Sequence, residues 1–363
     1  MRGHHPGSVR IRIGLLAFLV AACGRSEAAA PPAGAGSQRI APAAAANPTA
    51  FAPVAPTPGT AARPLTESGC CVNSWWSSDS SRILYLDRPA ASGTTTVYSV
   101  ALADGQVAPT SSPLGIYDAQ GQPVAVPAAG AWMLTALDGT ELWSVPAGAR
   151  ALRLSHGRDQ VAWSEGSSLP VNVDKRQRSI SVARVDSAAA RQVTVMTGGD
   201  LIGWGLDDDA LIVSGTPPGE AEPGIWRLGL DGSAELLFAS DRVRSPLVSP
   251  DGTWLAFMVA FSGDAGRDGL WAIETSGTKQ ERLDAFGSYR WRDDDRLLVF
   301  PLSVTEAPSL MEFEPATGAL AVLLPAELLP GAVANNDWSV SPDGRWLVYL
   351  HTGERNLWLI ALP

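Results

Sequence analysis

The sequence predicts an all-β architecture built from repeated four-stranded units. Three observations predict it. A turn motif rich in Ser, Pro, Asp and Gly recurs along the chain, each copy leading into a short apolar strand. A second element follows each turn, with a Trp or Tyr near its start in five of seven copies, and these second elements recur at 34 to 49 residues, averaging about 43. Alternation inside the copies has a period of two, which is that of strands, and no helical periodicity of useful length appears. A unit of about 43 residues with four strands is the length of one blade of a β-propeller.

The clearest turns are Ser249-Pro250-Asp251-Gly252-Thr253-Trp254 and Ser341-Pro342-Asp343-Gly344-Arg345-Trp346. Proline presets φ there and Asp-Gly closes the reversal. Weaker copies begin at Ser78, Asp207 and Asp293, a further one at His156, and the poorest at Ala119. The second elements start at Val97-Tyr98, Ala131-Trp132, Ile180-Ser181, Ile225-Trp226, Leu270-Trp271, Leu310-Met311 and Leu357-Trp358. Asp-Gly or Thr-Gly pairs after several of them are hairpin turns. The best count is seven blades; six holds if the weak stretch around residues 109–150 is an irregular insertion. The last repeat ends just after its third strand. Residues Thr60–Thr66 resemble the fourth strand seen elsewhere, as at Lys279–Asp284, and are expected to complete that blade and close the ring.

The motif Ser-Pro-Asp-Gly-x-Trp-Leu-x-Phe/Tyr followed by Leu-Trp-x-Ile resembles the TolB-like, WD40-like "PD40" propeller repeat over roughly residues 60–363. The resemblance implies a scaffold of the bacterial envelope that binds proteins or ligands, often without catalysis. Propellers of that family usually have six blades. Some precede peptidase domains, and no Gly-x-Ser-x-Gly nucleophile elbow occurs in this chain.

Outside the repeats the chain divides in two. Residues 1–22 read as a lipoprotein signal peptide: Arg2, Arg10 and Arg12 precede a short apolar run, and Val20-Ala21-Ala22-Cys23 resembles a lipobox. Cys23 is the expected lipidation site, and its acyl chains would anchor the protein in a bilayer, each buried CH₂ contributing roughly 0.8 kcal/mol. Residues 23–59 are rich in Ala and Pro, with prolines interrupting every run, and read as an extended tether. Residues 60–363 are the propeller. The expected location is therefore extracytoplasmic, lipid-anchored to the bacterial cell envelope.

Acids outnumber bases 37 to 27, for a net charge of −10. A nucleic-acid partner needs the opposite excess. Cys70 and Cys71 form either a strained vicinal disulfide or two buried thiols. The Asp207–Asp209 and Asp293–Asp295 triplets raise calcium, but they stand where other copies carry Pro-Asp-Gly and read as turns whose carboxylates bond local amides. No cofactor or metal is expected. His156 and His351 fall at a turn and a strand end, so a Ser/His/Asp hydrolase is not expected. The tryptophans that recur in register read as blade core rather than as sugar platforms.

A ligand site is expected where the innermost strands face the central channel. Asn73, Asp200, Arg244, Arg290, Asn335, Asn336 and Asp337 are the candidates by position. The expected function is a monomeric, membrane-anchored binding module for an envelope protein, peptide or glycan. The alternative is a propeller enzyme or solute-binding protein with a metal or polar site in the channel. Fold alone does not choose between them.

Overall fold

The computed structural model describes residues 59–67, 72–87, 95–110, 115–117, 122–136, 140–146, 148–166, 175–302, 309–331 and 333–363. Cys23, Cys70 and Cys71 lie outside the described residues.

Among the described residues, twenty-eight strands form seven antiparallel sheets of four. A short strand, β1 (Arg63–Pro64), precedes the first complete blade. Blade 1 is β2 (Val72–Trp76), β3 (Arg82–Asp87), β4 (Thr96–Ala101) and β5 (Val107–Pro109). Blade 2 is β6 (Ile116–Tyr117), β7 (Pro123–Ala128), β8 (Ala131–Thr135) and β9 (Glu141–Pro146). Blade 3 is β10 (Ala149–Leu154), β11 (Gln160–Gly166), β12 (Gln177–Arg184) and β13 (Arg191–Thr197). Blade 4 is β14 (Leu201–Trp204), β15 (Ala210–Gly215), β16 (Gly224–Gly229) and β17 (Ala234–Ala239). Blade 5 is β18 (Val243–Val248), β19 (Trp254–Val259), β20 (Gly269–Glu274) and β21 (Gln280–Leu283). Blade 6 is β22 (Gly287–Trp291), β23 (Leu297–Pro301), β24 (Leu310–Glu314) and β25 (Ala319–Leu324). Blade 7 is β26 (Val333–Val340), β27 (Trp346–His351) and β28 (Leu357–Ala361), with β1 as its outermost strand. The count is seven, and residues 109–150 contain a blade rather than an insertion.

The closure expected from the sequence is present. Arg63 and Pro64 pair with Leu359 and Trp358. The Leu65 amide donates to the Leu357 carbonyl at 2.7 Å, and the Leu357 amide donates to Thr66 Oγ1 at 2.9 Å. Proline lacks an N–H, so it is tolerated at Pro64 because this strand has no neighbour on its far side.

The core lies between blades rather than within them. Separate clusters of buried side chains join blades 7 and 1, 6 and 7, 3 and 4, 5 and 6, 2 and 3, and 4 and 5. Second strands are therefore covered on both faces, and β15, β19, β23 and β27 each open with at least four successive buried residues. That explains their unbroken apolar runs. The joint of blades 1 and 2 instead stacks Trp75 on Tyr117, with ring centroids 5.5 Å apart.

The turn motif does two jobs. Within a blade, Asp251 Oδ1 accepts from Ser249 Oγ at 2.6 Å and from the Thr253 amide at 3.0 Å, while Ser249 Oγ accepts from the Trp254 amide at 2.9 Å. Asp343 with Ser341, and Asp79 with Ser77, repeat the pattern. Between blades, the amide of the third turn residue reaches the next turn. Gly157 N donates to Asp208 Oδ2 at 2.9 Å, Asp343 N donates to Ser80 Oγ at 3.1 Å, and the Asp251 amide donates to the Asp294 carboxylate. These bonds link blades 3 to 4, 7 to 1 and 5 to 6. His156 belongs to the first link: its amide and Nδ1 lie 2.9 and 2.7 Å from Asp208 Oδ1.

At the joints of blades 4 and 5, and 6 and 7, the same place is glycine. Gly252 has φ +82°, and a Cβ there would lie 2.8 Å from the Gly205 carbonyl carbon and 2.9 Å from the Leu206 nitrogen. Gly105 has a comparable φ of +69° but open space around it. Gly105→Ala is therefore expected to cost only the left-handed penalty, roughly 1–2 kcal/mol. Gly252→Ala is expected to cost at least about twice that, because backbone must also shift. Denaturant unfolding of the two variants would measure this, and equal losses would show that the joint of blades 4 and 5 is not close-packed at Gly252.

Candidate functional site

Each blade's first strand lies against the axis. Because the strands are antiparallel, the Ser-Pro-Asp-Gly turns that end these strands lie on one side of the ring, the turn side. The links that enter them, and those between second and third strands, lie on the other, the loop side. Six of the seven inner strands carry a register shift; β22 is regular. In blades 1, 3 and 5 the extra residue is Asn73, Ala151 or Ser245, with φ of 54°, 45° and 50°. Such bulges re-aim the side chains that follow.

Past the bulge the strands come into a common register. The last inner-strand residue points back to the preceding blade: Trp204 Nε1 donates to the Arg153 carbonyl at 3.1 Å, and Trp291 Nε1 to the Leu247 carbonyl at 2.9 Å. The residue before it points on toward the next blade. In blade 1 this is Trp75, stacked on Tyr117 of blade 2. In blade 3 it is Arg153, whose Nε donates to the Ile202 carbonyl of blade 4 at 3.0 Å. In blade 6 it is Arg290, whose guanidinium carbon lies 5.2 Å from the Trp338 ring centroid of blade 7. Gly203, Leu247 and Ser339 hold the same place in blades 4, 5 and 7. One layer of the channel therefore carries an indole and two guanidiniums.

Both guanidiniums are also held by the preceding carbonyl: Arg153 Nη1 to Leu152 at 3.1 Å, and Arg290 Nη1 to Tyr289 at 2.7 Å. Arg153 is exposed along the channel, but neighbouring protein crowds it and partly desolvates it. That desolvation weakens its hold on the proton, and Asp200 opposes the effect. Burial acts likewise on Arg290, opposed by Tyr289 and Asp337. Burial raises the Asp337 carboxyl above its ordinary value, while Arg290 pulls it down.

The sequence-derived candidates separate into groups. Arg290 and Asp337 lie near enough at the joint of blades 6 and 7 for each charge to act on the other. Asp200 belongs to the joint of blades 3 and 4: its Oδ2 is 3.2 Å from Arg178 Nη1, and its Oδ1 accepts from Ser164 Oγ. Asn73 and Arg244 are exposed toward the loop side, where Arg244 Nη1 donates to the Val243 carbonyl at 2.8 Å. Asn335 and Asn336 lie in β26, and their side chains are outside those described. Arg153 and Trp75 were not expected there. The signal in the sequence was their shared place, two residues before the turn.

The turn side is acidic. Asp79, Asp159, Asp207, Asp208, Asp209, Asp251, Asp293, Asp294, Asp295 and Asp343 all stand in inner turns. Burial and three neighbouring carboxylates raise Asp294. Asp293 accepts from the amides of Asp295 and Arg296, so this triplet is a bonded turn, as the sequence suggested. Among the described residues, no group of three or more His, Cys, Asp or Glu is placed to hold a metal ion.

No family model matches the sequence, and no curated protein matches it. Solved structures do. An oligogalacturonate lyase in complex with manganese shares 14% identity, covering 85% of this chain and 95% of that one at a TM-score of 0.59. An oligogalacturonate lyase of Vibrio parahaemolyticus shares 11%, covering 83% and 93% at 0.56. A structure described as a TolB of Agrobacterium tumefaciens shares 15%, covering 82% and 91% at 0.38. At these identities the likeness is one of fold: this chain is a β-propeller, and the repeat that resembles PD40 is its blade.

Asp337 offers a pH test. Its folded pKa lies above the ordinary 3.8, so the folded chain holds that proton more tightly than the unfolded chain. The resulting stability is present below 3.8 and is lost as pH rises through the folded value. Asp337→Asn is neutral throughout. It is expected to melt above the parent chain near pH 7, with the gap closing below pH 3.8. A lower melting temperature near pH 7 would show that pairing with Arg290 outweighs burial.

Proposed function

We propose that this chain is a lipid-tethered, non-catalytic binding module of the bacterial envelope, and that its loop side and channel form the contact surface. The observation that carries the proposal is the strained, exposed backbone at the channel's loop-side mouth. Asn73 and Ser245 are left-handed, exposed and at equivalent places in blades 1 and 5. Left-handed backbone at a residue other than glycine has an energetic cost, and such strain collects at ligand clamps. The loop side also exposes two large apolar side chains, Phe261 at 89% and Leu302 at 78%. The turn side also holds left-handed residues, Ser80, Arg158 and Asp208, but there each closes an inner turn through its own amide.

The manganese bound by the lyase of similar fold raises a metal-using alternative. The described residues do not fit it, since no group of three ligating side chains converges among them.

Two measurements test the proposal. Cys23→Ser is expected to move the chain from the membrane to the soluble fraction and to abolish incorporation of labelled fatty acid; retention in the membrane would overturn the lipid tether. Cross-linking on intact cells is expected to yield an adduct that is lost with Phe261→Ser and retained with the turn-side change Arg345→Gln. An adduct indifferent to both would place contact elsewhere.

A further inference from the structure

The channel layer itself points to a class of ligand, on the reading that the channel is a contact surface. We infer that Trp75, Arg153 and Arg290 form a binding site for an acidic oligosaccharide, with pyranose rings stacked at Trp75–Tyr117 and ring carboxylates held by the two guanidiniums.

The arginines are not required by the fold. The same place in other blades is Gly203, Leu247 or Ser339, so neutral side chains of very different size satisfy it. Arg290 is half-buried, and Arg153 is exposed along the channel, open to a ligand there. Arg153 has no carboxylate within ion-pair distance among the described residues; its Nε and Nη1 are spent on carbonyls, and Nη2 has no partner among them. Arg244, nearer the loop-side mouth, is likewise held through Nη1 to a carbonyl. Guanidiniums pinned in this way are positioned before any ligand arrives, so little side-chain freedom is lost on binding.

Spacing narrows the ligand. Arg153 and Arg290 stand on blades 3 and 6, as nearly opposite as a ring of seven permits. A single phosphate calls for donors that converge on one point. Donors on opposite walls suit a ligand that carries carboxylates at intervals. The third member of the layer is aromatic: Trp75 and Tyr117 are both half-buried, with an interplanar angle of 29°. A pyranose presents an apolar C–H face to such a ring together with its charge, which an acidic peptide does not. The turn-side mouth is ringed by aspartates, so an anion would enter from the loop side.

The test is calorimetric titration of the full chain, in detergent, with tri-galacturonate, maltotriose and tri-glutamate. The expected result is binding of tri-galacturonate only, weakening as salt is raised. Arg153→Gln and Arg290→Gln should each weaken it about tenfold or more, with Arg153→Lys intermediate. Trp75→Ala should also weaken it, with Trp75→Phe retaining most of the affinity and guarding against a folding defect. Arg345→Gln, on the turn side, should change nothing. Equal binding of maltotriose would remove the role of the guanidiniums, and equal binding of tri-glutamate would remove the sugar. Either result leaves the channel as a contact surface. Binding of none of the three would overturn this site, while the loop-side cross-link still decides the broader reading.

Discussion

Seven chain reversals crowd around one axis, and the hydrogen bonds of those turns are the constraint on which the rest depends. A turn made only of backbone would leave amides unpaired where neighbouring turns shut out water. The Ser–Asp arrangement answers this locally, as Ser249 and Asp251 take up the amides of Trp254 and Thr253. The third-residue amide that remains is passed to the next blade, to Asp208, Asp294 or Ser80. Where no acceptor stands there, glycine lets the two backbones approach. Aspartate, serine and glycine in these turns are thus alternative solutions to one problem of crowding. Net contributions of about 0.5–1.5 kcal/mol for each such bond accumulate around a closed ring.

That economy explains how much of the fold is legible in the sequence. A motif that pairs its own amides must keep Ser, Asp and Gly at fixed places, so the turns of blades 5 and 7 stand out. Blade 3 has Gly157 and Asp159 where blade 5 has Asp251 and Thr253, and Asp208 of blade 4 completes its bonding. Its motif is divided between two blades and reads weakly from either one. The inner strand of blade 2 has only Ile116 and Tyr117, too few residues to show alternation. Closure by Arg63 and Pro64 was legible because a repeat that lacked its fourth strand pointed to an unassigned one at the other end.

The candidate site was legible only in part, for a reason set by strand geometry. Facing in a strand is read by counting in twos, and one extra residue inverts the count. The bulges at Asn73, Ala151 and Ser245 lie between the loop-side entry and the turn. Polar character and a place on an inner strand select Asn73 and Arg244, which are exposed at the mouth. Counting back from the turn selects Trp75 and Arg153. Blade 6 has no bulge, and there the two directions of counting agree on Arg290.

Stability and recognition consequently occupy different parts of the ring. Apolar clusters fill six of the joints, and the turn bonds fasten their ends, so these positions are held on every side. The channel layer is held by less. Its side chains rest on carbonyls and one another, and its occupants range from glycine to tryptophan. A ring closed by β1 on β28 does not need its centre filled in any one way, since its closing bonds lie at the outer strands and the turns. The layer is therefore free to differ in chemistry from blade to blade. Two arginines on opposite walls, inside a chain of net charge −10, are the feature of this propeller that its packing does not call for.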